Sequence, residues 1–277
     1  MSPTPLRPAP LRPDRIRLDR PSSGLQRLVA RFGGHAYDPH RHETYGIGLT
    51  LYGVQQFNYR GSLRASRAGD VLVLHPDEAH DGHAGEGGAF AYRMLYLDPA
   101  AISQALDGAS PPFVTDVVTR DAAMAGLIDE AFADFPHPLE PLAIDATVAR
   151  MADLLERRSD GPRRRPTGAT AARAIHRVHE FLAAEAHRTV ASEELERLSG
   201  LDRFTLARHF RQTFGTSPHR FQVGRRLQRA QSMIAEGAAL SETAAATGFA
   251  DQSHLTRHFS ARFGLTPGRW AALSRHV

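Results

Sequence analysis

The second half of this 277-residue chain contains an internal duplication. Segment 206–221 (Leu-Ala-Arg-His-Phe-Arg-Gln-Thr-Phe-Gly-Thr-Ser-Pro-His-Arg-Phe) aligns without gaps on segment 255–270 (Leu-Thr-Arg-His-Phe-Ser-Ala-Arg-Phe-Gly-Leu-Thr-Pro-Gly-Arg-Trp). The offset is 49 residues, and eight of the sixteen positions are identical. Such a repeat indicates two copies of one structural unit, so this half of the chain is expected to fold as a pair of similar units.

Each copy is preceded by the pattern of a helix, a short turn and a second helix. The predicted helices cover 192–198 and 203–212 in the first copy, and 241–246 and 252–262 in the second copy. Gly200 and Gly248 lie in the turns, where a sharp reversal favours a residue that tolerates positive φ. Ser192 is predicted to begin the first helix of the first pair, and Ser241 is predicted to cap the first helix of the second pair. This is the helix-turn-helix pattern.

The second helix of each pair has one apolar face and one polar face. Leu206, Phe210 and Phe214 recur at helical spacing and are expected in the core, as are their equivalents in the second copy. The opposite faces carry Arg203, Phe204, Ala207, Arg208 and Arg211 in the first copy, and Gln252, Ser253, Thr256 and Arg257 in the second copy. Arginine pairs with guanine and glutamine with adenine in the major groove. A predicted helix over 221–236 would hold the two reading helices about 34 Å apart, which is one turn of duplex DNA.

Charge is distributed unevenly between the two halves of the chain. All 34 basic residues are arginine. Residues 1–162 hold 16 Arg against 21 acidic residues, whereas residues 163–277 hold 18 Arg against 9 acidic residues. The net charges of −5 and +9 sum to the formal +4 of the chain. This asymmetry indicates that only the second half faces a polyanion.

The first half reads as strands followed by two helices. Short apolar or alternating runs between residues 25 and 97 predict a compact antiparallel barrel or sandwich. The predicted strands are 45–52, 54–59, 70–74 and 90–97, and the predicted helices are 121–135 and 142–158. Residues 159–170 are polar, charged and broken by two prolines, which is typical of a linker between domains.

The second copy also carries a family signature. Its segment 248–259 (Gly-Phe-Ala-Asp-Gln-Ser-His-Leu-Thr-Arg-His-Phe), with Arg-Phe-Gly-Leu-Thr-Pro over 262–267, resembles the second motif of the AraC/XylS transcription regulators. The resemblance covers residues 170–277 and implies two helix-turn-helix units on a linker helix that bind promoter DNA. Carried over by position, it places Phe204, Ala207, Arg208, Gln252, Ser253, His254, Thr256 and Arg257 on the base-reading face. Ala207 departs from the family, which often has a longer polar side chain there, so base reading by the first unit is expected to rest mainly on Arg208.

The first half resembles the cupin-like sensor domains of the same family. His40 and His42 precede one predicted strand, and His80 follows another, as in the two halves of a cupin barrel. The resemblance implies an effector-binding pocket in the barrel, with His40, His42, Tyr45, His80, Tyr92 and Arg93 as candidate lining residues. Tyr45, Tyr92 and Arg93 could equally pack in the core. Two readings of the histidines stay open. His40, His42 and His80, with Glu43 as a fourth ligand, could hold a divalent metal, or the barrel could hold an organic effector without metal.

The expected fold class is therefore α+β and multidomain, with an N-terminal cupin-like β-barrel carrying appended helices and a C-terminal all-α double helix-turn-helix domain. The expected domains are a flexible Pro/Arg-rich arm (1–20), an effector-binding and dimerisation domain (21–158), a linker (159–170) and a DNA-binding domain (171–277). In this family, helices such as 121–135 and 142–158 mediate dimerisation, although they could equally cap the barrel.

The predicted function is a sequence-specific transcription regulator, which is not an enzyme, modulated by a small-molecule effector. The absence of cysteine excludes disulfide scaffolds, thiolate metal sites and cysteine nucleophiles. No signal peptide or membrane span is recognisable, so a cytoplasmic location without a membrane partner is expected. The expected partners are double-stranded promoter DNA, the effector, RNA polymerase if the protein activates, and a second copy of the chain. The alternative is a metal-dependent cupin oxygenase or isomerase fused to a DNA-binding domain, but it would leave the duplicated basic domain without a purpose.

Overall fold

The computed structural model describes residues 13–19, 24–160 and 169–274. Its strands are β1 (Arg15–Leu18), β2 (Leu25–Gly33), β3 (His35–His40), β4 (Tyr45–Tyr59), β5 (Ser62–Arg67), β6 (Val71–Leu74), β7 (His80–Ala84), β8 (Ala89–Leu97) and β9 (Val118–Thr119). Its helices are α1 (Pro99–Ala105), α2 (Ala122–Ala131), α3 (Pro141–Arg157), α4 (Ala169–Ala184), α5 (Ser192–Ser199), α6 (Arg203–Phe214), α7 (Pro218–Ala235), α8 (Leu240–Thr247), α9 (Gln252–Phe263) and α10 (Pro267–Ser274). No helix in these described ranges is both long enough and apolar enough to cross a membrane.

The strands form two antiparallel sheets that share the long strand β4. One sheet has the order β1-β2-β8-β4-β6-β9, and the other joins β3, β7, β4 and β5. The first part of β4 pairs with β6 and β8, and its last part pairs with β5 and β7. Because one strand belongs to both sheets, the sheets curve around a common interior.

Gly53 lies where β4 passes from one sheet to the other. The register of β4 against β8 shifts between Thr50 and Tyr52, and Gly53 follows with a φ of +71°. A Cβ atom at Gly53 would lie 2.0 Å from the carbonyl oxygen of Ala89. Glycine is therefore required here both for its backbone conformation and for the close approach of β8.

Helices α1, α2 and α3 cover the outer face of the larger sheet. Met124, Leu127 and Ile128 of α2 join Met151 and Leu155 of α3 in one buried cluster with the strands. Asp121 caps α2 by accepting from two backbone amides. The buried guanidinium of Arg27 donates to the carbonyl oxygen of Ala131, at the far end of this helix, and to that of His137 in the loop that follows. The apolar stripes of α2 and α3 are thus used inside the chain, as caps of the barrel.

The second half consists of two helix-turn-helix units joined by α7. The first unit contains α5 and α6 with α4 packed behind them, and the second contains α8 and α9 with α10 behind. The predicted apolar face of α6 is buried with α4, and Leu255 and Phe259 of α9 are buried as predicted. Helix α7 begins at Pro218, three residues earlier than expected.

Several local predictions are wrong. Part of the arm predicted to be flexible is ordered, because Arg15–Leu18 form β1 and pair with β2, while residues 1–12 and 20 lie outside the described residues. The two predicted strands 45–52 and 54–59 are one strand, because Gly53 bends the chain without ending it.

Ser241 lies inside α8 and does not cap it, since the cap position is Ala239. The linker prediction falls largely on 161–168, which are also outside the described residues, and α4 already begins at residue 169.

Two phenylalanines on α6 give a direct test of this packing. Phe210 is fully buried, whereas Phe204 is 78% exposed on the same helix. We expect Phe210→Ala to lower the free energy of unfolding by about 3–5 kcal/mol, because it leaves a cavity in the core. Phe204→Ala should change it by no more than about 0.5 kcal/mol. Urea unfolding of the two variants measures the difference, and similar losses would contradict the assigned burial.

Candidate nucleic-acid interface and interdomain cavity

The N-termini of α6 and α9 are held by aspartate caps. The carboxylate of Asp202 accepts hydrogen bonds from the amides of Phe204 and Thr205, both at 3.0 Å. Asp251 accepts from the amide of His254 at 2.7 Å. These bonds satisfy amides that a helix N-terminus leaves without partners, and they determine where each helix begins.

Arg226 on α7 ties the two helix-turn-helix units together. Its guanidinium donates to the carbonyl oxygens of Ala186 and Arg188, which follow α4, and to that of Gly248 in the second turn. A Cβ atom at Gly248, whose φ is +80°, would lie 2.4 Å from the carbonyl oxygen of His187. The relative orientation of the two units therefore depends on this contact.

The predicted base-reading side chains lie on the accessible faces of α6 and α9. The exposed side chains are those of Arg203, Phe204, Arg208, Arg211, Gln252, Ser253 and Arg257. The half-buried side chains are those of Ala207, His254 and Thr256. The guanidinium of Arg203 contacts Glu193 and Glu196 of α5 at 3.3 and 3.2 Å. Arg208 donates to the hydroxyl of Thr205 at 3.2 Å. Each helix thus combines a buried apolar face with an accessible polar face.

A cavity lies between the barrel and the second helix-turn-helix unit. On the barrel side it is lined by His40, His42, His80, Gln26, Gln55, Tyr37, Tyr92 and Tyr96, and on the helical side by Gln228, Gln231, Arg262, Phe263 and Trp270, among others. Its free space is about 40 Å³, which is enough for roughly three water molecules. The cavity therefore belongs to both halves of the chain.

The three cavity histidines lie close together and share one tautomer. Their ring centroids are 4.3 Å apart for His40 and His80, 4.8 Å for His42 and His80, and 6.2 Å for His40 and His42. The Nδ1 atom of each lies 2.7–3.0 Å from a backbone carbonyl oxygen. A carbonyl oxygen can only accept, so Nδ1 carries the proton and Nε2 is left as an acceptor.

Burial keeps these histidines neutral. It lowers the pKa of His40 and His42 well below the usual value of 6.5, and it lowers the pKa of His80 to about 4. The positive charge of Arg262 lowers all three pKa values further. At neutral pH the cluster therefore presents lone pairs and no positive charge.

The histidine cluster does not fit the metal site that the sequence left open. Within the described ranges, no group of three or more His, Asp or Glu side chains is arranged to hold a metal ion. Glu43, the suggested fourth ligand, turns to Arg262, with 2.7 Å between Oε2 and Nε. The guanidinium of Arg262 beside the rings also opposes a cation there. We therefore assign no metal to His40, His42 and His80.

The same Glu43–Arg262 pair lies at the seam between the two halves. Arg262 belongs to α9 and is 7% exposed, and burial raises the pKa of Glu43, an effect that the charge of Arg262 opposes. Beside the pair, the amides of Asp38 and Arg41 donate to the carbonyl oxygens of Gly264 and Ala261 at 2.9 and 3.2 Å. The C-terminal end of α9 is thus hydrogen-bonded to the barrel.

Comparisons with known proteins support both halves. A model described as an AraC-like ligand binding domain matches residues 23–152, and one described as a helix-turn-helix domain matches residues 195–272. Together they span about three quarters of the chain. The chain belongs to the AraC family of transcription regulators. This AraC-family protein is a DNA-binding transcription regulator with an effector-binding N-terminal domain, which confirms the resemblance, the fold class and the function predicted from the sequence.

Two relatives illustrate the extent of the similarity. The uncharacterized HTH-type transcriptional regulator YbfI of Bacillus subtilis (strain 168) is 24% identical over 221 residues, which are 78% of this chain and 80% of that protein. The structure of ToxT from Vibrio cholerae has a TM-score of 0.64 at 10% identity and covers 90% of this chain and 98% of ToxT. The ToxT match shows that the fold is shared across both halves.

In this AraC-family regulator, two of the candidate effector residues do not line the cavity. Tyr45 is buried against α1–α3, where its hydroxyl donates to the carbonyl oxygen of Pro112 at 2.6 Å. Arg93 lies between Asp129 and the ring of Phe132, on the outer face of the larger sheet. The sequence could not decide between lining and packing for these two residues, because the alternation along a strand separates two faces without showing which face is the interior. Tyr92 lines the cavity and shares a hydrogen bond of 2.6 Å with Tyr37.

Sequence reasoning missed the cavity residues that come from the DNA-binding half. Gln231, Arg262 and Trp270 line the cavity from α7, α9 and α10. One signal for Arg262 was present, because it follows Leu255 and Phe259 at the spacing of the buried face of α9. A charged residue at a position of the apolar stripe indicates a buried partner.

The seam between the halves can be tested with a helical glycine. A Cβ atom at Gly224 of α7 would lie 2.5 Å from Oε2 of Glu43, so Gly224→Ala must displace Glu43 from Arg262. We expect faster hydrogen exchange at the amides of Asp38 and Arg41. Gly126→Ala is the control, because Gly126 lies in α2 with nothing within 4 Å of the added carbon. Unchanged exchange in Gly224→Ala would show that the seam does not depend on this pair.

The neutral histidines predict a loss of stability in acid. In the unfolded chain a histidine takes up a proton near pH 6.5, whereas folded His80 stays neutral until about pH 4. The unfolded state therefore binds more protons between these values, and the free energy of unfolding falls as the pH is lowered. We expect His80→Gln to reduce the slope, by at most about 1.4 kcal/mol per pH unit, whereas the exposed His219→Gln should not. Urea unfolding between pH 4 and 7 measures this slope of the free energy of unfolding against pH. An unchanged slope in His80→Gln would contradict the buried neutral state of His80.

Proposed function

We propose that this regulator reads promoter DNA with the accessible faces of α6 and α9, and that its effector binds in the interdomain cavity. The observation that carries the DNA-binding part is the pair of capped helices with accessible polar faces. The proposed base-reading set is Arg203, Phe204, Ala207, Arg208, Arg211, Gln252, Ser253, His254, Thr256 and Arg257. Within α6, Phe204 offers an exposed aromatic ring for contact with a thymine methyl group.

The charge of the second half supports binding to a polyanion. Its net charge of +9 comes entirely from arginine, which pairs with phosphate oxygens as well as with bases. Arginines of α6, α7 and α9 such as Arg208, Arg229 and Arg257 are exposed. We propose that part of this set contacts phosphates and positions the protein, whereas Arg208, Gln252 and Arg257 read bases.

The cavity is the proposed effector site, with His40, His42, His80 and Tyr92 as the supported members of the predicted set. ToxT, which shares the fold, has been solved with an unsaturated fatty acid bound, so this architecture accommodates a small organic ligand. In this chain a ligand in the cavity would touch both halves. It can therefore change DNA binding only by stabilising the docked arrangement more or less than a released one.

We propose the domain boundaries 21–158 and 171–277 for the two functional halves, and a cytoplasmic location, where promoter DNA is found in bacteria. RNA polymerase is the proposed partner if the protein activates transcription.

A homodimer is also proposed. The apolar stripes of α2 and α3 are buried inside the chain, so a dimer contact through these helices would use the outer face of α3, where Leu142 is 80% exposed. No reaction is proposed, because the histidines of the rival enzyme reading are not arranged as metal ligands.

Base reading can be separated from phosphate contact with one arginine. A duplex that binds the protein is first selected from a random library. Arg257→Ala should weaken binding to the selected duplex by about 1–3 kcal/mol and weaken binding to a scrambled duplex much less. Arg64→Ala, an exposed arginine on β5 of the barrel, is the matched control and should leave both affinities unchanged. Equal losses on the two duplexes would identify Arg257 as a phosphate contact.

A further inference from the structure

We propose that a groove beside the linker helix α7 binds the phosphate group of a small phosphate ester. The groove is formed by α7, the C-terminal end of α4 and the end of α8, so it lies between the two helix-turn-helix units. Of the described residues, it shares only Gln228 with the interdomain cavity, and no member of the proposed base-reading set lines it. It is therefore separate from both sites of the proposed function and does not depend on either.

The groove has room for a small organic molecule. Its free space is about 370 Å³, which lies within the range of small-molecule sites in proteins. On the side of α4 it is lined by Ala183, Ala184 and Ala186. Their short side chains leave this space open between the helices.

The lining of the groove is basic. Arg225 and Arg229 lie one turn apart on α7, with Arg226 between them, and no acidic side chain of the described residues lines the groove. None of the three arginines forms an ion pair with a described residue, whereas Arg188 and Arg220 of the same half do. A concave surface with positive charge and no counter-charge attracts an anion.

The three arginines have different roles. Arg226 donates to the three carbonyl oxygens described above, so its guanidinium is fixed by the fold. Arg225 donates one N–H to Oε1 of Gln228 at 3.0 Å and lies 6.0 Å from the ring centroid of Phe221. Arg229 is exposed and donates to no described residue. Because a guanidinium has five N–H groups, Arg225 and Arg229 keep most of theirs for a ligand.

An acidic group behind Arg225 is already engaged. Asp98 lines a smaller cavity together with Arg225. Its carboxylate accepts from the amide of Ala100 at 2.8 Å and lies 3.6 Å from Nε2 of His179. No hydrogen bond between described residues joins Asp98 to Arg225, so the guanidinium remains available to an external anion.

The helix-turn-helix fold does not require these arginines. With the 49-residue offset of the internal repeat, α4 aligns on α7, and the buried Val178 corresponds to the buried Leu227. Glu180 then corresponds to Arg229. The same helix therefore forms in the first unit with the opposite charge at this position, which indicates that the basic groove of the second copy serves binding and not folding.

The donors favour a phosphate over a carboxylate. Two guanidinium groups can each meet two oxygens of a phosphate, whereas a carboxylate has only two oxygens and one charge. A phosphate monoester carries close to two negative charges at neutral pH. Since Oε1 of Gln228 accepts from Arg225, its amide offers N–H groups to the ligand, and His187 lines the same groove. The organic part of the ester would occupy the space beside the alanines.

Three related probes test the chemical class of the ligand. Glycerol 3-phosphate, glycerate and glycerol carry a phosphate, a carboxylate and no charge. Calorimetric titration of the full chain at constant ionic strength should detect glycerol 3-phosphate. Glycerate should bind at least about tenfold more weakly, and glycerol should not bind measurably at the same concentrations. No binding of glycerol 3-phosphate, or equal binding of glycerate, would overturn the proposal.

Charge variants test the two free arginines. Arg225→Gln and Arg229→Gln should each weaken binding of glycerol 3-phosphate at least about tenfold. Arg197→Gln removes the same charge from an exposed position on α5, outside the groove, and should leave this affinity unchanged. An equal loss in Arg197→Gln would show that the ester is attracted to the basic half as a whole and would overturn the site. Arg226 is left intact, because it ties the two units together.

A variant that fills the groove tests its location without changing the charge. Ala184→Leu places a larger side chain on the α4 side and should weaken binding of glycerol 3-phosphate at least about fivefold, because the added atoms occupy the space of the ester. Ala143→Leu, at an exposed position of α3, is the matched control and should have no effect. Unchanged affinity in Ala184→Leu would place the ester elsewhere and overturn the proposal.

The backbone of bound DNA is the other source of a phosphate group. If the groove takes a free ester, Arg225→Gln and Arg229→Gln should weaken binding to the selected duplex by no more than about twofold. A larger loss, shared by the selected and the scrambled duplex, would identify the groove as a backbone contact and overturn the proposal. Failure of the chain to bind any duplex would refute the proposed function alone, because the ester titrations contain no DNA.

Discussion

The interior of the β-barrel is closed by the second helix-turn-helix unit, and one apolar cluster continues from the strands into α7, α8, α9 and α10. Phe32, Phe90 and Tyr92 of the barrel belong to the same buried cluster as Leu227 and Trp270 of the helices. Separating the halves would return this surface to water at a cost of roughly 25 cal/mol for each Å² of apolar area. The arrangement of the two domains is therefore held by the same effect that folds each of them.

Polar groups at this contact between the halves fix the position of one half relative to the other. The Glu43–Arg262 pair is mostly buried, and the desolvation of such a pair offsets much of its attraction, so its value lies in fixing position more than in adding stability. Gly224 and Gly264 allow this fit, because a side chain at either position would collide with Glu43 or with the carbonyl oxygen of Asp38. The polar face of α9 remains accessible in this arrangement, while its C-terminal end is hydrogen-bonded to the barrel and lines the cavity.

Much of the helical half was predictable from the sequence, because its determinants are local. The helical spacing of Leu206, Phe210 and Phe214 depends on neighbours within one helix, and so do the turn at Gly200 and the charge on the opposite face. The barrel was predictable only as a class. Whether Tyr45 and Arg93 point inwards, and whether Tyr45–Tyr59 is one strand or two, depends on pairing with residues far along the chain. The apolar stripes of α2 and α3 showed which faces are buried but could not show that the sheet, and not a second copy, buries them.

By itself, the sequence determined that the chain ends in a duplicated, arginine-rich pair of helix-turn-helix units and begins with a sheet-rich domain that carries His40, His42 and His80. Repeats, helical periodicity and charge are properties of the chain order, so they survive without coordinates. Only the tertiary structure decided that the three histidines face Gln231, Arg262 and Trp270 across a shared cavity. These groups are separated by some 150 to 230 positions in the chain, and only packing of the two domains brings them together.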